Sequence, residues 1–124
     1  MLDQITPALL TFNEELNIGR TLVRLFWARD VVVVDSGSTD RTLEIIANFR
    51  NVRVFHRKFD THANQWRFAM EETGIATDWI LRLDADYQVP VDMKVPALKA
   101  GIKVQVSWLQ SQGMDLPGQV RIIR

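Results

Sequence analysis

Four consecutive valines, Val31–Val34, followed at once by Asp35, constrain this chain more than any other stretch of it. A β-branched run without polar alternation suits a strand buried on both faces, as in a parallel sheet covered by helices on two sides. A chain of 124 residues is about one small domain. At that size about two thirds of the unfolded surface can be buried, so a core needs no staples. The composition agrees, with 47% apolar and 24% charged residues. Lysine plus arginine and aspartate plus glutamate both number 15, and without a basic excess general nucleic-acid binding is set aside. With no cysteine, disulfides and thiolate metal sites are excluded, and two histidines are too few for a multi-histidine metal centre. No apolar run approaches the ~18 residues of a membrane span. The N-terminus also lacks the basic start and apolar stretch of a signal peptide, so the expected location is the cytoplasm.

The pattern around the valines alternates. Ile5–Thr11 reads as a buried strand, provided Pro7 lies at a strand edge. Asn13 suits a helix cap and Glu14 and Glu15 a helix first turn, with Ile18, Leu22, Leu25 and Phe26 on one face of a helix over 14–27. After the valines, Thr39 or Asp40 caps a second helix, 41–49, whose face is Leu43, Ile46, Ala47 and Phe49. Val52–Phe55 is a third strand and 56–61 a charged loop. A helix over 62–73 then carries Ala63, Trp66, Met70 and Thr73 on one side and ends near Gly74. Trp79–Leu83 is a fourth strand. This β-α-β-α-β-α-β order predicts an α/β domain with a mostly parallel sheet, right-handed crossovers and helices on both faces. Beyond Pro90 the pattern changes: a weak helix over 92–100, an alternating strand from Ile102 to Trp108, and a last strand in QVRIIR. The whole of 1–124 reads as one domain.

In a parallel α/β sheet, ligands bind beyond the carboxyl ends of the strands. Three polar clusters fall there: TFNEE, DSGSTD and DADYQ. Asp84 and Asp86 leave a hydrophobic strand one residue apart and can converge on a hard cation, Mg2+ or Mn2+, completed by waters and substrate phosphates. Aspartates are equally common in solvated turns. Asp35 can accept hydrogen bonds from a ribose diol or a base N–H, or bond its own turn. Glu14 and Glu15 can meet a nucleoside or complement a helix dipole. His56 and His62 flank Arg57-Lys58, a stretch that can take a diphosphate role or stand as a solvated face, and Trp66, Trp79 and Trp108 read as core. Arg67 and Arg82 are candidates to pair with phosphate. No Gly-rich phosphate loop is present.

LLTFNEELNI, VVVVDSGSTDRTLEI and DWILRLDADYQVP, in that order, resemble the family-2 glycosyltransferases of the GT-A fold, particularly bacterial enzymes of envelope polysaccharide assembly. The resemblance covers residues 5 to about 90. It implies a nucleotide-sugar-binding core over 1–90, with 91–124 an extension of uncertain kind. It places Thr11, Phe12 and Glu14 around the nucleoside and Asp35 on the base or ribose. It makes Asp86 the main metal ligand, with Asp84 near the ribose or metal. The implied partners are a nucleotide-diphosphate sugar and a sugar or lipid-linked acceptor, and the setting is compatible with peripheral association at the cytoplasmic face of the inner membrane.

Two departures stand out. The third helix reads ANQWRFAM where many members carry an Arg-Asn pair before Phe-Ala, so the residue that meets the diphosphate is left open. An inverting transferase also needs a general base. After Asp86 the only acidic residues are Asp92 and Asp115, neither in a matching motif. The expectation is therefore a donor-binding half of a larger enzyme, with the general base absent and the 79–83 strand left as an apolar edge prone to self-association. Two rivals follow: a non-catalytic nucleotide-sugar-binding remnant, and a haloacid-dehalogenase-like phosphatase using ILRLDADYQ. Gln88 stands where that phosphatase family usually has Thr or Val.

Overall fold

The structure, a computed structural model, describes residues 4–86 and 121–123. Strands β1 (Ile5–Thr11), β2 (Val31–Asp35), β3 (Val52–His56) and β4 (Trp79–Leu83) alternate with helices α1 (Ile18–Val23), α2 (Thr42–Ile46) and α3 (His62–Glu71). A short β5 (Arg121–Ile123) closes the set. The sheet order is β3-β2-β1-β4-β5, with β1 to β4 mutually parallel and β5 antiparallel to β4. The weak helix and alternating strand expected over 92–108 lie outside the described residues, as do Asp92 and Asp115.

Side-chain alternation sorts the sheet into two cores. Ile5, Leu9, Val31, Val33, Trp79, Leu81 and Leu83 face one side and pack with Ile18, Leu22 and Leu25 of the α1 segment and Ile46 of α2. Ala8, Val32 and Val34 face the other, where Ala69, Trp66 and Phe68 of α3 cover them. All five residues of β2 are buried, as the valine run requires.

Four details depart from expectation. Pro7 sits in the central strand, where it is tolerated because pairing with β2 begins only at Ala8. Asn13 does not cap α1, which starts at Ile18 with Asn17 before it. Asn13 instead takes a left-handed conformation (φ 51°), and its Oδ1 accepts from the N–H of Thr39 at 2.8 Å and of Asp40 at 3.3 Å, stitching the first loop to the second. Phe26 lies beyond α1 and is 68% exposed. The strand expected to be an apolar edge is not one: β5 pairs with Ile80–Arg82 and covers it, which removes the edge on which self-association was expected. Among the described residues no helix is long and apolar enough to cross a membrane.

Candidate functional site

The carboxyl ends of β1 and β4 and the facing side of α3 enclose a cleft of about 950 Å3. Leu10 comes from β1, Arg82 and Leu83 from β4, and Asp84, Ala85 and Asp86 from the turn that follows. From α3 come His62, Ala63, Trp66 and Met70, spaced so that one helical face looks into the cleft. The Asp84–Asp86 turn is anchored from below: the buried Thr21 hydroxyl on α1 donates to the Ala85 carbonyl at 2.6 Å. A second hollow of about 510 Å3 adjoins the first, sharing Leu10, Glu14 and His62, and adds Thr11, Phe12, Ser36, Lys58, Phe59 and Gln65. Its rim carries two exposed rings, Phe12 (56%) and Phe59 (45%), and Phe59 meets the His62 ring edge-on at 5.0 Å.

Asp84 is half-buried and Asp86 exposed. Burial pushes the Asp84 carboxyl above its ordinary range, the Asp86 charge adds to this, and His62 opposes it. A cation between these carboxylates would relieve both costs. Among the described residues no three Asp, Glu or His side chains gather into a metal cage. Two carboxylates at a strand end fit a hard cation that keeps waters and shares its remaining positions with ligand phosphates. The donor set therefore suits Mg2+ or Mn2+.

Asp35 is fully buried, and of the two roles open to it in sequence it takes the bond to its own turn. Its Oδ1 accepts from the hydroxyls of Thr11 at 2.8 Å and Ser38 at 2.5 Å, and its Oδ2 from the N–H groups of Gly37 at 2.9 Å and Ser38 at 2.8 Å. Burial alone would raise its pKa. The Ser38 side-chain and backbone hydrogen bonds, with those from Thr11 and Gly37, outweigh burial and hold it below the ordinary carboxylate value. Asp35 thus locks the β2 turn, and Gly37 (φ 106°) supplies the left-handed step that turn needs. Neither Thr39 nor Asp40 is the N-cap of α2, which is Arg41; Asp40 lies one residue earlier, and its Oδ1 accepts from the Thr42 N–H at 2.9 Å and hydroxyl at 2.5 Å. Glu14 precedes α1 rather than opening it; its N–H donates to the Thr42 hydroxyl at 2.8 Å, and its side chain borders both hollows.

Thr11, Phe12, Glu14, Asp84 and Asp86 thus come together along one groove, with Asp35 beneath its wall. Arg67 does not join them. It lies on another side of α3, exposed, in a small separate groove with Arg57, Asn64, Phe68 and Glu72, and donates to Asn64 Oδ1 at 2.8 Å. Sequence reasoning favoured a solvated face over a ligand role for His62, which is exposed yet lines the cleft, and missed the cleft-facing part of Trp66, read as core. Their i, i+4 spacing with Met70 at i+8 carried the signal. Phe59 carried none.

A parallel sheet whose carboxyl-end groove is floored by paired aspartates is the architecture of the GT-A fold. The description "Glycosyl transferase family 2" matches residues 8–104, and the chain belongs to that family. It is 27% identical over 110 residues to the lipopolysaccharide core biosynthesis glycosyltransferase LpsC of Rhizobium meliloti, covering 84% of this chain and 40% of LpsC. It is 35% identical over 92 residues to an uncharacterized glycosyltransferase of Rickettsia bellii, covering 73% of this chain and 30% of that protein. Among solved structures, the mannosyltransferase PcManGT of Pyrobaculum calidifontis, in complex with GDP-Man and Mn2+, superposes with a TM-score of 0.62 at 23% identity, over 70% of this chain and 28% of that one. TarS (1–349) of S. aureus in complex with UDP-GlcNAc gives a TM-score of 0.61 at 24% identity, with the same shares of the two chains. The chain thus spans 40% or less of these relatives' lengths.

Proposed function

We propose that this chain is the donor-binding part of a glycosyltransferase that takes a sugar from a nucleotide-diphosphate sugar with the help of Mg2+ or Mn2+. The observation that carries the reading is the continuous groove over β1 and β4, with Asp84 and Asp86 at one end and the Phe12–Phe59 hollow at the other. The hollow suits a nucleoside: Phe12 offers an exposed ring, Glu14 an acceptor, and Thr11 with Asp35 holds the wall rigid. The Asp84–Asp86 end suits the diphosphate and its cation, with Asp86 the more accessible ligand. The ion's chemistry there is neutralisation of charge on the departing diphosphate. The nucleotide-sugar and nucleotide complexes of the related solved structures support this direction, with either UDP or GDP as the carrier. Transfer proceeds with inversion to a sugar or lipid-linked acceptor of envelope polysaccharide synthesis, at the cytoplasmic face of the membrane; the likeness to LpsC supports that class of product.

Calorimetric titration of the chain with UDP and with GDP tests the reading, first in Mn2+ and then in EDTA. Binding of one nucleotide that weakens at least tenfold on chelation is the expected result. Equal affinity in both conditions would overturn the metal assignment, and no binding of either nucleotide would overturn the donor site.

A further inference from the structure

Among the described residues, five large apolar side chains stand well exposed. Phe12 and Phe59 belong to the donor groove. The other three, Leu16 (84%), Val23 (57%) and Phe26 (68%), all fall in one stretch around α1. The helical path there is longer than α1 itself: the Ile18 N–H donates to the Glu14 carbonyl at 2.8 Å, and the Ala28 N–H to the Leu25 carbonyl at 3.1 Å. Ile18, Leu22 and Leu25 turn inward to the sheet. At about 100° per residue, Leu16, Arg20 and Val23 then lie on the outer side, with Arg24 and Phe26 at its margins. We propose that this outer face seats the chain on an anionic lipid membrane, which rests on the membrane location proposed above and not on the donor site.

Charge selects the occupant. Residues 16–29 carry three arginines, Arg20, Arg24 and Arg29, and no carboxylate, whereas 1–86 as a whole carries 13 acidic and 10 basic residues. None of the three arginines is ion-paired with a described carboxylate, and Arg20 donates to the neutral Asn17 side chain. The neighbouring carboxylates are engaged elsewhere. Asp30 holds the Arg53 guanidinium at 2.7 and 2.8 Å, Glu44 of α2 pairs with Arg41 at 3.1 Å, and Glu15 accepts from the Arg41 N–H at 3.3 Å. Exposed apolar side chains set among arginines suit a headgroup–acyl boundary, where the apolar groups enter and the guanidiniums meet lipid phosphates. A second copy suits the face less, because a two-fold pairing sets the arginines against their own copies. So do residues 87–124, with five basic against two acidic residues. The α1 segment and α3 cover opposite faces of the sheet and the cleft opens beside α3, so a membrane against α1 leaves the cleft accessible.

Vesicle co-sedimentation tests this, with pure phosphatidylcholine and with about one third phosphatidylglycerol, at about 50 and about 300 mM NaCl. Wild type is compared with a double variant, Val23→Ser with Phe26→Ser, and a triple variant, Arg20→Gln with Arg24→Gln and Arg29→Gln. Thermal melts and nucleotide titration in Mn2+ accompany each protein. Wild type should bind the anionic vesicles at low salt with a partition constant on the order of 10³–10⁴ M⁻¹, about tenfold less at high salt, and pure phosphatidylcholine barely. The triple variant should lose about 10- to 100-fold, at roughly fivefold per arginine. The double variant should lose about 5- to 20-fold, and both should keep nucleotide affinity within about twofold. A folded triple variant that binds as wild type does, equal binding to both vesicle types, or binding to neither would overturn the inference. A wild-type dimer in sedimentation velocity that the serine pair disperses would also overturn it and assign the face to a second copy. A wild type that binds nucleotide and no vesicle overturns the membrane face and leaves the donor site standing; one that binds anionic vesicles and no nucleotide does the reverse.

Discussion

Asp35→Ala removes a carboxylate that is fully buried and accepts four hydrogen bonds. Two of its donors, the hydroxyls of Thr11 and Ser38, can rotate toward other acceptors. The N–H groups of Gly37 and Ser38 cannot, because the turn fixes them. Leaving a partly buried donor unsatisfied costs about 1–3 kcal/mol, and Gly37 is exposed enough for water to recover some of that. Two such amides place the loss at about 2–4 kcal/mol. At roughly 4 °C per kcal/mol for a domain of this size, Tm should drop by about 8–16 °C. The loss has a pH signature. The folded-state pKa of Asp35 is depressed, so its contribution is complete above the unfolded value of about 3.9 and fades as pH falls through the lower folded value. Differential scanning calorimetry of wild type and Asp35→Ala at pH 7 and at steps below pH 4 should show two melting curves that converge in acid. A Tm within 3 °C of wild type at pH 7, or a gap that does not narrow in acid, would refute the reasoning.

Other consequences follow from single contacts. Thr21→Val should cost about 1–2 kcal/mol by urea denaturation, since it leaves the Ala85 carbonyl without its buried donor, and should also weaken Mn2+-dependent nucleotide binding by loosening the aspartate turn. Gly37→Ala meets no atom within 4 Å, yet should destabilise by about 1 kcal/mol or more because φ is 106°, a loss read from chemical denaturation midpoints. Gln65→Leu removes the donor to the Arg57 carbonyl (3.0 Å) and the acceptor for its guanidinium (2.8 Å), so amide exchange across residues 57–61 should accelerate while that of β2 stays slow. Asp60, whose pKa is lowered chiefly by the Arg57 hydrogen bond, adds to the acid sensitivity with the same sign as Asp35.

The strands were legible because their signals are local. The valine run and WILRL are apolar stretches closed by aspartates, and β1, β2 and β4 begin and end within a residue of the expected bounds. Helix ends were less legible because capping partners came from elsewhere. Asn13 has the composition of a cap, but its carbonyl oxygen is claimed by two amides of the second loop, 26 and 27 residues on, a contact no sequence window contains. Asp35 shows the same limit. The residue type at a strand end was correctly singled out, whereas its burial depends on Thr11 crossing from the neighbouring strand. Arg67 and Arg82 were indistinguishable as phosphate candidates in sequence; the structure places Arg82 in the cleft with Asp84 and Asp86 and Arg67 in a separate groove.

The account's central claim is that the groove over β1 and β4 receives the nucleotide. Backbone amide NMR of the 15N-labelled chain, titrated with UDP and GDP in Mg2+, reports this residue by residue. The account predicts shift changes concentrated at residues 11–15, 58–66 and 82–86, with the Arg67–Glu72 side of α3 and the α1–α2 face silent. Shifts centred on the Arg57–Arg67–Glu72 groove, or none at any nucleotide concentration up to about 100-fold above a micromolar dissociation constant, would contradict it.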